Sequence, residues 1–259
     1  MSSVSRVVIG LAAVAVVAVT GCSAKGTPYQ TPSSAAPSSA APAPSAAPTA
    51  PMTSVPAASG QLTGTQLQTV LLPQSFFPAG FTLSQSSEVS SGDTLASAPP
   101  QYDLATTDCA TFVNHFGNTG FGETAMASGS AVGQSEQAFD QVVYQFGSPG
   151  AATAFVSGIT SLASRCGSFT ATDNGAKGTF SLRTAAGPAL GGHPSLELVQ
   201  SGKLNGSPLT LDTLLSASGV DVFAGAAVGL GVSAPVSLAK ETIVYNLMKR
   251  QAAAAVLGG

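Results

Sequence analysis

The chain has 259 residues, with 9 Lys and Arg against 12 Asp and Glu and a formal charge of −3. Only 8% of its residues are charged, 44% are hydrophobic, and there is no tryptophan to serve in sugar stacking or binding hot spots. All twelve acidic residues and seven of the nine basic ones (all but Arg6 and Lys25) fall after Gln61 without forming a basic cluster, which argues against nucleic acid as a partner.

Arg6 is the only charged residue ahead of an apolar run from Val7 to Val19. Thirteen residues are too few to cross a hydrocarbon core, which takes about 20. A short apolar run behind a positive charge is the pattern of a secretory signal peptide. The run ends in Val19-Thr20-Gly21-Cys22, which resembles the lipobox of bacterial lipoproteins, with Val19 where Leu is more usual. The resemblance implies that residues 1–21 are removed and that Cys22 becomes the lipidated first residue. Two acyl chains there would hold the protein on the outer face of the cytoplasmic membrane, where a single chain binds only marginally.

Gly26 to Ser59 is built of Pro, Ala, Ser and Thr without a charge, and eight of the chain's seventeen prolines lie in it. Such a stretch cannot bury enough apolar area to offset its conformational entropy, so residues 22–60 are expected to form a disordered, semi-stiff spacer. Residues 61–259 have ordinary complexity and suffice for one domain with a core of its own. Two cysteines remain after Cys22. Export places Cys109 and Cys166 in a compartment that permits a disulfide, the reading preferred here over free buried thiols. Two cysteines alone make a poor metal site.

Along the domain, Thr63 or Thr65 opens a short helix, with Gln66 or Gln68 completing a capping box, Leu67, Val70 and Leu71 along one face, and Pro73 as the stop. Phe81–Val89 reads as extended. After a loop rich in Gly, Ser and Pro, a helix opens at Asp108; Cys109, Phe112, Val113 and Phe116 share its inner face. Glu123–Val132 and Phe139–Phe146 read as strands. Ser148 and Pro149 start a helix whose stripe is Ala152, Phe155, Val156, Ile159, Leu162 and Ala163, ending at Arg165 just before Cys166. Ser168–Thr172 and Thr179–Arg183 flank the turn Asp173-Asn174-Gly175. Ser195–Leu204 and Pro208–Leu215 flank Asn205-Gly206, a strong hairpin signal, and Val220–Val228 adds a third strand. Ser237–Ala253 closes as a helix with Glu241 near its start and Lys249 and Arg250 near its end, charges that suit the dipole. Hairpin-linked strands with a few helices give an α+β domain around an antiparallel sheet.

Residues that carry chemistry are few. His115 falls off the apolar face of its helix and reads as solvated; His193 sits in the turn Gly191-Gly192-His193-Pro194. Neither stands at metal-ligand spacing from another His or a carboxylate, so no metal is expected. There is no Gly-x-Ser-x-Gly elbow, no catalytic residue is assigned, and the chain is not expected to be an enzyme. Gly229-Leu230-Gly231-Val232-Ser233-Ala234 fits a loose dinucleotide pattern. It follows an antiparallel meander and has no acidic residue about twenty positions on, so it reads as a loop and no cofactor is expected. Phe112, Phe116, Phe139, Phe146 and Phe155 read as core.

Several stretches together resemble the extracellular sensor domain of the mycobacterial kinase PknH and its free-standing actinobacterial lipoprotein relatives. They are Leu71-Leu72-Pro73, Phe76-Phe77-Pro78-Ala79-Gly80-Phe81-Thr82, Asp108-Cys109, Val143-Tyr144-Gln145-Phe146, Arg165-Cys166-Gly167-Ser168-Phe169 and Leu190-Gly191-Gly192. The resemblance implies one α+β domain with a curved antiparallel sheet flanked by helices and a cleft for an unidentified ligand. That domain has two disulfides, whereas this chain can form one. The expected function is a surface-tethered ligand-binding or sensor module with an unidentified small-molecule or envelope ligand and, with no kinase domain, a membrane-protein partner to carry any signal. An envelope interaction protein that binds another protein or cell wall polymer is the second reading, and an exported hydrolase a remote third.

Overall fold

The computed structural model describes residues 60–96, 99–133, 137–173, 176–230 and 236–257. Cys22, the leader, the Pro-rich tract and most of Gly229–Ala234 lie outside them. Local chemistry starts the helices where their caps stand. The Thr63 side chain accepts from Gln66 N while Gln66 answers Thr63 N, so α1 (Gly64–Gln68) opens on a full capping box. Asp108 accepts from Thr111 N ahead of α2 (Cys109–His115), and Ser148 accepts from Ala151 N ahead of α3 (Pro149–Ala163), whose first residue is proline. The strands are β1 (Thr82–Ser90), β2 (Ala125–Val132), β3 (Gln137–Gln145), β4 (Phe169–Asp173), β5 (Ala176–Ala186), β6 (Ser195–Leu204), β7 (Ser207–Ser218) and β8 (Asp221–Leu230). A closing helix, α4, spans Val236–Leu257.

The described strands form one antiparallel sheet in the order β1-β2-β3-β8-β7-β6-β5-β4. It is two meanders, β1 to β3 and β4 to β8, joined where β3 pairs with β8 from Gln137↔Gly229 to Gln145↔Asp221. The β6–β7 hairpin turns at Asn205 and Gly206, with φ of 49° and 88°, the left-handed pair that a tight two-residue turn requires. Asn174 and Gly175, between β4 and β5, lie outside the described residues.

Both faces of the sheet are covered. On one, Ala152, Phe155, Ile159 and Leu162 of α3 and Phe112 of α2 pack with Val142, Tyr144, Leu182, Leu198, Leu215 and Val222. On the other, Ala239, Ile243 and Leu247 of α4, with Leu67, Val70 and Leu72 from the α1 region, pack on Phe139, Val143, Leu214 and Phe223. Each fully buried Leu, Ile or Phe contributes about 1.5–3 kcal/mol of transfer free energy. A side chain at Gly225 would meet Ala239 backbone at 3.1 Å, so the glycine lets α4 settle directly on β8. Cys109 and Cys166 are bonded with Cα atoms 5.7 Å apart, joining the start of α2 to the chain just past α3. Arg165 donates to the Leu104 carbonyl at 2.9 Å and so ties down the loop before α2 as well as standing near a helix end.

Two glutamines of β3 fasten the segment around α1. The Gln145 amide accepts from Leu62 N at 2.7 Å and donates to Leu62 O at 2.9 Å. Gln141 does the same for Leu72, at 2.8 and 3.3 Å. Arg250 is the one clear departure from the expected surface. The final helix continues to Leu257, so Arg250 lies within it rather than at its end, and it is 1% exposed. Its Nε stands 2.9 Å from Asp221 Oδ2, and its Nη2 donates to Gly60 O at 2.6 Å and to Gln145 Oε1 at 3.2 Å. Burial pushes the Asp221 carboxyl up to about 7 against the opposing pull of Arg250.

Candidate ligand-binding cleft

Three acidic side chains on the sheet or its connections are withdrawn from water, Glu123 and Asp221 fully and Asp140 by half, and their partners separate them. Glu123 is buried, but its two oxygens accept from Gly120 N and Phe121 N, each at 2.8 Å, which explains it as the peg of a tight loop. Asp221 has Arg250. Asp140, in the middle of β3, has one hydrogen bond among the described residues, from Ser130 Oγ across the β2 pairing. Desolvation therefore raises its carboxyl to about 6, the hydroxyl only partly opposing the rise.

Asp140 stands in the wall of a cleft on the α2/α3 face. The strand register explains the floor. Asp140 opposes Ala226, Ala226 opposes Thr213, and Thr213 opposes Leu198, so the four side chains form one row across β3, β8, β7 and β6. Ala226 and its strand neighbour Ala224 are too short to fill the space above β8, and a notch remains between Asp140 and Thr213. Two strand spacings separate those residues, about 10 Å between Cα atoms. Phe112, Val113 and Phe116 of the α2 region roof one side; Leu182, Leu209, Leu211 and Val228 line the rest. The enclosed cavity volume is about 50 Å³, and the space including its open mouth is about 680 Å³.

The polar atoms in this apolar slot are few and incompletely matched. Thr213 is fully buried and its Oγ1 has no hydrogen-bond partner. Gln200, 3% exposed, adds an amide one row further along. Among the described lining residues Asp140 is the only charged one, and no Lys, Arg or His faces it from the cleft wall. A second groove, about 590 Å³ and open along one side, runs between α3 and the β5–β6 strands. The Thr153 and Ser157 hydroxyls beside it bond to Pro149 O and Ala154 O of their own helix.

The residues singled out from sequence lie elsewhere. His115 is half-buried rather than fully solvated: Tyr102 stacks on it with ring centroids 4.4 Å apart, because the loop before α2 folds back over the polar side of that helix. His193 lies near Ser218, Oγ to Nε2 3.4 Å, but Ser218 is buried and neither residue lines the cleft or the groove. Among the described residues no three of His, Cys, Asp and Glu gather as a metal-binding group. Phe112, Phe139, Phe146 and Phe155 are buried core residues; Phe116, half-buried, is part of the cleft roof instead. Asp140 and Thr213 carry no local signature, and periodicity could not have marked them.

The fold and cleft define an α+β domain with an antiparallel sheet and an apolar slot on one face. No protein-family model matches the chain, and no curated protein matches it. Among solved structures it is similar to the extracellular domain of PknH from Mycobacterium tuberculosis, with 14% identity and a TM-score of 0.49 over 75% of this chain and 97% of that one. It is also similar to a putative uncharacterized protein from Mycobacterium smegmatis, with 13% identity and a TM-score of 0.42 over 76% and 100%. At these identities and scores neither likeness transfers a function.

Proposed function

We propose that this protein is an exported ligand-binding or sensor module, tethered to the outer face of the membrane by a lipid on Cys22. Residues 22–60 act as the spacer and residues 61–259 as the binding domain. The observation that carries the binding role is the cleft: apolar walls with an under-partnered carboxylate at Asp140 and an unpartnered hydroxyl at Thr213. Small-molecule sites are mostly apolar pockets with a few polar groups that fix orientation, and this cleft has that make-up. The Cys109–Cys166 bond suits export, since reducing compartments rarely keep disulfides. No described helix is long and apolar enough to cross a membrane. A signal would pass by contact with a membrane-protein partner.

The test is to purify the protein from its own host, extract it with organic solvent, and compare the small molecules released by wild type and by Ala226→Leu, which fills the notch. A compound held by wild type and lost in a folded Ala226→Leu supports the reading. Equal content in both removes the cleft from it.

A further inference from the structure

We infer that the cleft selects an aliphatic ligand whose head donates hydrogen bonds, a primary amine above a neutral alcohol, and that it rejects carboxylates and phosphates. The inference rests on the binding role just proposed and specifies its chemistry. The wall sets the aliphatic part. Leu182, Leu209, Leu211 and Val228 present alkyl groups to the cleft, and an alkyl chain lying along them towards the mouth buries apolar area without leaving a polar group unmatched.

Charge sets the head. Asp140 lines the cleft beside Ala226 and has one hydroxyl, from Ser130 on the β2 side, as its partner. An ammonium seated there would gain a charge-assisted hydrogen bond in a medium of low dielectric. Thr213, fully buried two strands away, is too far to share that head and leaves its unmatched Oγ1 as a separate polar point in the wall. An anion would face a carboxylate of its own sign, and the described wall holds no cation to offset it. The discrimination is therefore built from repulsion as much as from attraction.

Three probes of equal length separate these terms: octylamine, 1-octanol and octanoate, titrated by calorimetry into the intact protein at neutral pH. The expected order is octylamine, then 1-octanol, then octanoate, with octylamine at least about tenfold tighter than octanoate. Asp140→Asn should remove most of the preference for amine over alcohol while 1-octanol still binds. Circular dichroism of each variant confirms that it is folded. Octanoate binding as tightly as octylamine, or a preference for amine that survives Asp140→Asn, overturns the inference. Should none of the three bind while a host compound is still lost in Ala226→Leu, this head chemistry is wrong and the binding role stands. Should neither bind, both fall.

Discussion

Asp140→Asn changes one atom, and it reports on whether this carboxylate is kept at the expense of stability. In the unfolded chain an Asp titrates at its ordinary value of 3.8; in the fold, burial raises Asp140 to about 6. The sign follows from proton uptake. Between those two values the folded state binds more protons than the unfolded state, so stability falls as pH rises from 3.8 through about 6, and then levels. At 1.36 kcal/mol per unit, the ceiling is about 3 kcal/mol. Asp140 is half-buried and faces a cleft with an open mouth, so water screening reduces the expected effect to about 1–2 kcal/mol. Asn retains an oxygen for the Ser130 hydroxyl and removes the charge. Urea unfolding of residues 60–259 between pH 4 and pH 8 should show the variant more stable than wild type by about 1–2 kcal/mol above pH 7, with the gap closing towards pH 4. A variant less stable by the same amount at every pH would refute the reasoning. It would mean that Asp140 is a satisfied structural acceptor, and that its place in the cleft needs no ligand to explain it.

Breaking the Cys109–Cys166 bond, by reduction or by paired Cys→Ala changes, should lower stability by about 2–5 kcal/mol in urea melts; no change would show that the sheet and its two cores suffice. Gln145→Leu should cost about 2–4 kcal/mol and speed hydrogen exchange at the Leu62 amide, because both backbone groups of Leu62 lose their partner. Protection of that amide unchanged from wild type would contradict the clamp. Arg250→Met should destabilise by about 3–5 kcal/mol, with much of the loss recovered in Arg250→Met/Asp221→Leu, since a buried charge costs most when its partner is gone. Cys22→Ala should leave a non-acylated precursor by mass spectrometry; an acylated, mature-sized product would end the tether proposal.

What could be read without coordinates was what local chemistry decides. The caps at Thr63, Asp108 and Ser148 act over three residues, and Asn205-Gly206 defines a hairpin by the φ values it permits, so each was found in place. Cys109 and Cys166 could be paired because two cysteines in a domain read as exported have one connectivity. The misses depend on distant partners. Gln145 sits inside a recognisable Val-Tyr-Gln-Phe stretch, yet its role exists only because Leu62, 83 positions earlier, returns to it. Arg250 looked like a terminal charge because Ala252–Ala255 gives no stop signal, and its partner Asp221 lies on a strand. His115 was placed outward by helical period, which says nothing of a loop tyrosine folding over it. Asp140 was hidden for a different reason. Helices cover both faces of β3, so its alternation of polar and apolar residues does not mark an inside, and Asp140 looks like any other polar residue in the run.

The central claim, that the α2/α3 face of the sheet receives a small molecule, is tested most directly by methyl NMR of the domain titrated with a small-molecule extract of the host envelope. The account predicts shifts confined to Leu198, Leu209, Leu211 and Val228 in the cleft, with Leu214, Ile243 and Leu247 on the far face unmoved. Shifts centred on Val156 and Leu196 of the open groove, or on the α4 face, would contradict it.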